Sequence, residues 1–327
     1  MTADRSRRQF LTLSGAAGLA VTAACSPRDG GGRTPAGGVT ITHKFGETTL
    51  SAPPTRVVSA GLTEQDDLLA VGVVPVAVTK WLGDQPYGVW PWAQPKLGGA
   101  TPALLNLDNG IQVDAIAKIK PDLIVAINAG LDADTYKKLS EIAPTIAQSG
   151  EDAFFEPWKQ QATAIGSAVF KKDEMTTLLD AVDRKFAAVA QANPTFKDRT
   201  AVLLNGFFAG DTITATVAGW RTEFLTAMGL TIADSVKELA SGDYAMISRK
   251  DLPRAIGGAD VLIWCTDNAA EQAALLADPA VTELRATQRK RNVFTPEELS
   301  AAIAYASPLS YPVVADQLPN LLRQALG

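Results

Sequence analysis

The sequence predicts an α/β protein of two Rossmann-like lobes, each with a central parallel sheet, joined by one long backbone helix. Residues 112–146 alternate helical apolar spacing with a short continuous apolar run, which is typical of a parallel sheet covered by helices. A related pattern returns at residues 251–264, and an amphipathic stretch of about 20 residues lies between the two. The chain has 327 residues, 46% of them hydrophobic, so it can bury two cores.

Residues 1–25 have the composition of a targeting segment rather than of a folded element. The motif Ser6-Arg7-Arg8-Gln9-Phe10-Leu11 resembles a twin-arginine export signal, and a run rich in Gly and Ala follows it. Thr22-Ala23-Ala24-Cys25 resembles a lipobox, in which Cys25 would be acylated. Thr22 stands where Leu is usual, so cleavage to a free secreted form stays open. Residues 26–38 predict a flexible tether, because they offer almost nothing apolar to bury.

Residues 39–170 are predicted to form the N-terminal lobe, which opens with a hairpin that turns at Gly46. The apolar run that follows Asp122 suits a strand buried on both faces, and Pro121 stops the helix before it. Parallel sheets carry their ligand loops at the carboxyl ends of their strands. Binding is therefore expected in the loops that begin at Gly61, Lys80, Asn128 and Ser149.

A motif in this lobe resembles a known family. Asp114 opens a helix, Lys120-Pro121-Asp122-Leu123-Ile124-Val125 follows, and the next helix runs from Tyr136 to Ile142-Ala143-Pro144-Thr145. This combination of motifs resembles the helical-backbone class of periplasmic binding proteins. These proteins are the ferric-siderophore, haem and vitamin B12 receptors of bacterial ABC importers. The resemblance implies that a large ligand is captured between two lobes and delivered to a membrane permease, with no bond made or broken.

The loop at residues 80–95 is rich in aromatic side chains that can stack on a flat or macrocyclic ligand. Trp81, Tyr87, Trp90 and Trp92 all fall within 12 residues, among prolines and glycines that exclude a regular helix. Local packing that fixes a long loop is the alternative interpretation, and the sequence leaves it open.

Residues 171–196 predict the connecting helix, because apolar residues recur at helical spacing from Met175 to Val189 and Pro194 ends the pattern. In the resembled family one such helix joins the two lobes and limits their relative motion. The resemblance therefore implies the same role for this helix.

Residues 197–327 are predicted to form the C-terminal lobe. Its candidates for the ligand cleft follow from loop position and are Phe207, Phe208, Trp220, Arg221, Trp264 and Tyr305. Because Phe207 and Phe208 are adjacent, at most one of them need face a ligand. Arg221 follows Gly219 closely and precedes a predicted helix, so its guanidinium is expected to face the anionic oxygens of a ligand.

Docking to the permease uses one acidic residue on each lobe of the resembled family. The matching position in the first lobe is Asp114. The related pattern at residues 251–264 suggests Asp251 as the corresponding residue of the second lobe. Both are Asp where the family usually has Glu. The alternative is that both are ordinary carboxylates favoured by a helix N-terminus.

Several classes of function conflict with the composition. A net charge of −5 argues against nucleic acid as a partner. One histidine, His43, and two cysteines, Cys25 and Cys265, leave no set of metal ligands and no His-activated nucleophile. The turn after the first predicted strand lacks the Gly-rich dinucleotide fingerprint. We therefore expect no catalysis and no cofactor, with iron present only as part of the ligand.

The sequence predicts an exported monomer, lipid-anchored at the outer face of the cell membrane, that binds a ferric siderophore. Haem is the second choice, with Tyr87, Tyr244 or Tyr305 as a possible axial ligand. A lipid-anchored scaffold or interaction protein that reuses the fold is the third.

Overall fold

The structure is a computed structural model, and it describes residues 37–327. The predicted export signal at residues 1–25, its Cys25 and most of the predicted tether lie outside the described residues. Among residues 37–327, no helix combines the length and the apolar character needed to cross a membrane.

The N-terminal lobe contains a separate hairpin, β1 (Val39–His43) and β2 (Gly46–Leu50), and a five-stranded sheet. The strands of that sheet are β3 (Val57–Ser59), β4 (Ala77–Thr79), β5 (Ala103–Leu105), β6 (Leu123–Ala126) and β7 (Thr145–Ala147), in the order β5-β4-β3-β6-β7. All four pairings are parallel, as predicted. The helices are α1 (Glu64–Ala70), α2 (Val113–Ile119), α3 (Ala133–Ser140) and α4 (Trp158–Ala168).

Helices cover both faces of this sheet. Successive residues of β6 point to opposite faces, so Leu123 packs with Ile165 of α4 while Ile124 packs with Ile116 of α2. Each strand residue from 123 to 126 is fully buried. The apolar run in the sequence therefore has its physical cause in burial on two sides.

The predicted long helix is α5 (Lys172–Ala192). It packs against α4 of the first lobe, and it also contacts α6 (Glu223–Ala227) and α12 (Ser310–Leu326) of the second. Phe186 of α5 lies in one cluster with Trp158 of α4 and Tyr311 of α12. One helix thus contributes to the packing of both lobes.

The C-terminal sheet contains the predicted parallel strands and, in addition, antiparallel strands that the prediction did not include. Its strands are β8 (Thr200–Asn205), β9 (Thr212–Thr216), β10 (Thr231–Ile232), β11 (Ala240–Ser241), β12 (Tyr244–Ser248), β13 (Val261–Cys265) and β14 (Asn292–Thr295). The order is β11-β12-β9-β8-β13-β14, and β10 pairs with β8. The pairings β8–β9, β9–β12 and β11–β12 are antiparallel. For β8 and β9 the cause is the short loop that links them, because a parallel pair needs a long crossover connection.

The remaining helices of this lobe are α7 (Leu252–Ile256), α8 (Ala269–Ala277), α9 (Pro279–Thr282), α10 (Arg285–Gln288) and α11 (Glu297–Tyr305). Helix α11 follows β14 and ends where Ala306 adopts a left-handed conformation. This places residues 300–306 beside the carboxyl ends of β8 and β13, facing the first lobe.

Candidate ligand-binding cleft

Two adjoining cavities lie where the lobes meet, with volumes of about 190 Å³ and about 310 Å³. Both touch Asn205 and Cys265, which are paired at the carboxyl ends of β8 and β13. Ser300 and Ala304 of α11 line both as well. The cleft therefore opens at the edge of the second sheet where ligand sites of parallel strands are expected.

The first lobe supplies an aromatic wall to the smaller cavity. Trp81 and Phe155 line it, and their ring centroids are 5.2 Å apart. Phe155 has φ of 60°, in the left-handed region that a bulky residue avoids. Its backbone N–H donates to Asn128 Oδ1 at 2.9 Å, which helps to hold this conformation. Strained residues of this kind concentrate at binding sites.

Arg221 lies in the same cavity, surrounded by aromatic rings. Its guanidinium carbon is 4.2 Å from the ring centroid of Trp220, 4.9 Å from Phe155 and 5.1 Å from Tyr244. Its Nε donates to Asp243 Oδ2 at 3.1 Å, and only 14% of the side chain is exposed. Cation–π contacts and the ion pair together fix the guanidinium. The contact with Phe155 crosses from one lobe to the other.

The larger cavity has a different wall. Leu82, Gly83 and Trp90 come from the first lobe, and Phe207, 53% exposed, comes from the second. The charged residues that line it are Asp267 and Glu297.

Four of the predicted ligand residues pack together between the lobes, in a set that we call the aromatic cluster: Trp81, Trp90, Trp92 and Tyr305. Trp90 and Trp92 are stacked with centroids 5.1 Å apart, and Tyr305 meets Trp92 edge-on at 5.5 Å. Trp81 lies 5.2 Å from Tyr305. Trp81 and Trp90 also line the cavities, whereas Trp92 and Tyr305 line neither of the two. The cluster thus holds the loop at residues 80–95 against α11.

Three other predicted ligand residues lie away from the cavities. Trp264 is fully buried on the far face of β13, where it stacks on Phe294 and donates from Nε1 to Asn292 Oδ1 at 3.0 Å. The guanidinium carbon of Arg249 lies 3.9 Å from the ring centroid of Phe208, and Phe208 lines neither cavity. Tyr87 lines neither cavity as well. The structure brings Phe207 to the cleft and not its neighbour Phe208, which agrees with the expectation that at most one of the two faces a ligand.

A group of buried carboxyl groups lies beneath the aromatic cluster, at the start of α1. Asp66 Oδ2 accepts from Trp92 Nε1 at 2.8 Å and from Ser307 Oγ of the second lobe at 2.6 Å. Burial raises its pKa to about 6, against the effect of those two hydrogen bonds. Burial likewise raises the pKa of Glu64 to about 7, and that of Asp67 well above its usual range.

Glu64 is locked by the backbone around it. Its side chain accepts from the backbone N–H groups of Gly61 at 2.6 Å and of Asn128 at 2.8 Å. A Cβ atom at position 61 would collide with Glu64 and with the Asn128 carbonyl oxygen, so the chain requires glycine there. Asp66 then joins the lobes, because its partners come from both.

The two predicted docking carboxylates differ in their surroundings. Asp114 is exposed in the first turn of α2. Asp251 is half-buried, accepts from Ser248 Oγ at 2.5 Å and lies 4.0 Å from Arg254. Asp114 therefore offers its charge to a partner more freely.

The sequence reasoning missed part of the cavity wall, namely Phe155, Asn205, Thr216, Cys265, Ser300 and Tyr311. Strand alternation could have found Cys265. Ile263 and Cys265 share one face of β13, and Trp264 takes the other. Burial raises the pKa of the Cys265 thiol to about 12, so the thiol stays protonated. The sequence of helix α11 did not indicate a role in binding, because small residues such as Ala304 form the side that lines the cleft.

Comparisons with known proteins agree on one family. A family model described as periplasmic binding protein matches residues 57–299. A periplasmic solute-binding protein from Mycobacterium smegmatis is 60% identical, with a TM-score of 0.85 over 90% of this chain and 100% of that chain. PiaA from Streptococcus pneumoniae in complex with ferrichrome is 25% identical, with a TM-score of 0.73 over 88% of this chain and 98% of that chain.

Among curated proteins, a putative ABC transporter substrate-binding lipoprotein of Bacillus subtilis is 31% identical over 176 residues, which are 52% of each chain. The chain spans about half the length of the curated relatives that it matches.

Proposed function

The chain belongs to the periplasmic binding protein family, and on this premise we propose that it is the substrate-binding component of an ABC importer. It captures a ferric siderophore between its two lobes and delivers it to the membrane permease. It makes and breaks no bond, and iron enters only as part of the ligand.

The observation that carries the proposal is the pair of adjoining cavities between the lobes. Their walls combine rings from both lobes, Trp81 and Phe155 on one side and Phe207 and Trp220 on the other. Sites for small organic ligands are concave, largely apolar and provided with few polar groups. The polar groups here include Asn205, Ser300 and Arg221 in the smaller cavity, and the carboxylates of Asp267 and Glu297 in the larger one. Related proteins support the same ligand class, because PiaA is found in complex with ferrichrome and a Bacillus subtilis relative, 30% identical over 148 residues, is a probable siderophore-binding lipoprotein.

The proposal includes export and a lipid anchor at Cys25, with the protein acting as a monomer at the outer face of the membrane. The motifs in residues 6–25 support this part. A Cys25→Ala variant is then expected in the soluble fraction, while the protein that retains Cys25 is acylated and sediments with membranes. Retention of the variant in membranes would contradict the anchor without affecting the proposed ligand.

A fluorescence titration tests the ligand. The purified protein is titrated with ferric siderophores, haem and cobalamin, and with the metal-free siderophores, after correction for absorption by the ligand. We expect saturable quenching by a ferric siderophore. In Trp220→Ala the affinity should be at least about tenfold lower, because the ligand can no longer stack on that indole ring. Phe208→Ala is the matched control, since Phe208 lines neither cavity.

The other outcomes separate the alternatives. Binding of haem alone would replace the siderophore as ligand. Burial raises the pKa of Tyr305 and of Tyr244, which disfavours a tyrosinate axial ligand at either position. Binding of no ligand, together with a stable complex with another protein, would favour a scaffold.

A further inference from the structure

We propose that the cleft selects ferric chelates without net negative charge, neutral or cationic, over polyanionic chelates. This inference rests on the proposed function and deepens it, because it names the class of siderophore. The charged side chains of the cavity walls carry the argument. They are one guanidinium, Arg221, and two carboxylates, Asp267 and Glu297.

The positive charge of Arg221 is already compensated. Asp243 accepts from its Nε at 3.1 Å, and the pair is partly withdrawn from water, with 14% and 40% of the two side chains exposed. The sequence predicts a guanidinium that faces an anionic ligand, but the structure gives that guanidinium an anionic partner within the protein. An added anion would meet a neutral pair rather than a free cation, and it would face the charge of Asp243 as well.

Arg221 still offers hydrogen bonds. Among the residues that the structure describes, its terminal Nη atoms have no acceptor, since the bond to Asp243 uses Nε. A guanidinium carries five donors in a fixed plane. Its free N–H groups can therefore bind the oxygens of a neutral chelate, and that interaction needs no net negative charge on the ligand.

The larger cavity is negative. Asp267 and Glu297 are both exposed at its wall, and no Lys or Arg within residues 37–327 lies at ion-pair distance from either. No side-chain cation of the described residues therefore compensates either charge, and Glu297 meets only the N-terminus of α11, in whose first turn it lies. Like charges brought together at an interface disfavour binding, and opposite charges favour it.

Cations next to the cleft are paired too. Lys80, adjacent to Trp81, lies 3.0 Å from Asp84. Arg249, which stacks on Phe208, lies 2.8 Å from Asp278 and 3.3 Å from Asp211. Neither brings an uncompensated positive charge to the cavity walls.

Chelate chemistry gives the classes to compare. Three singly charged hydroxamates neutralise Fe(III), so a trihydroxamate complex is neutral, and a free amine on its chain makes it cationic. Three catecholates leave a net charge of −3, and citrate complexes are anionic as well. The apolar walls and compensated guanidinium suit the first class, and the exposed carboxylates act against the second.

A series that changes charge and keeps the chelating core tests the inference. Ferrioxamine B carries a charge of +1, its N-acetyl derivative is neutral, and its N-succinyl derivative carries −1. Affinities of the purified protein for the three are measured by calorimetry at low and at high salt. We expect the succinyl derivative to bind at least about tenfold more weakly than ferrioxamine B, and the difference to shrink at high salt.

Substitution of the wall carboxylates assigns the effect. In the double variant Asp267→Asn, Glu297→Gln, the difference between the +1 and −1 ligands should fall severalfold. Glu283→Gln removes an exposed carboxylate outside both cavities and should leave the difference unchanged. Equal or tighter binding of the −1 ligand would overturn the inference and leave the proposed function intact. Failure of every ferric chelate to bind, ferric catecholates and citrate included, would overturn both.

Discussion

Asp66 connects the two lobes, and its replacement by Asn should change how stability depends on pH. The carboxylate accepts from Trp92 of the first lobe and from Ser307 of the second, and it is fully buried. Its Oδ1 has no hydrogen-bond partner among the described residues, so its desolvation is only partly offset. Asn keeps an oxygen for both donors but cannot ionise.

The magnitude follows from the pKa. Burial raises the pKa of Asp66 from its ordinary value of about 4 to about 6, so the folded protein binds the proton more tightly than the unfolded chain does. Between these two values the folded state carries more protons, and its stability therefore falls as pH rises. The full loss is about 3 kcal/mol, because each pKa unit corresponds to about 1.4 kcal/mol.

Urea unfolding of the purified protein at a series of pH values from about 3 to 7.5 measures this effect. We expect the unfolding free energy of Asp66→Asn to fall by about 3 kcal/mol less over this range than that of the unsubstituted protein. The comparison uses the change with pH, because an unpartnered Asn amide has a cost that does not depend on pH. Asp84→Asn, at an exposed position, is the control. An Asp66→Asn variant with the same pH dependence as the unsubstituted protein would refute the reasoning.

Two further predictions use matched pairs of residues. Trp264→Ala should destabilise the protein by about 3–5 kcal/mol, because it empties a fully buried site. Phe207→Ala should change stability by less than about 0.5 kcal/mol and should weaken ligand binding. Urea unfolding measures the stability of both variants and titration measures ligand binding; a Trp264→Ala variant of normal stability would contradict the buried placement of Trp264. Asp114→Ala should reduce ligand-dependent transport by the permease without changing ligand affinity, and Asp134→Ala, exposed at the start of α3, should change neither; normal transport by Asp114→Ala would exclude this carboxylate from docking.

The sequence was sufficient to predict the elements whose signals are local. Pro121 predicted the end of α2, which comes at Ile119, and the continuous apolar run predicted β6 as a strand buried on both faces. The stripe from Met175 to Val189 predicted the helix that became α5. The apolar run at residues 200–207 likewise predicted a buried strand, which is β8. The antiparallel strands β9 and β12 gave no comparable pattern, because they depend on pairing partners distant in sequence.

The site was predictable at the level of loops but not of side chains. The rule that ligand loops follow the carboxyl ends of strands located Trp81, Trp220 and Arg221, which line one cavity. It also proposed Trp264, which the register of β13 turns to the opposite face of the sheet. The partnership of Arg221 with Asp243 joins residues 22 positions apart in a lobe of mixed topology, so no local pattern could indicate it.

On the proposed function, a ferric siderophore binds between the lobes, in the cleft that the two cavities form. Crystals grown with ferrioxamine B test it most directly, because the anomalous scattering of iron locates the metal without reference to any assumed pose. We expect an iron peak within the cleft, bordered by Trp81, Phe207 and Trp220. An iron peak elsewhere on the protein, with both cavities free of ligand, would contradict it.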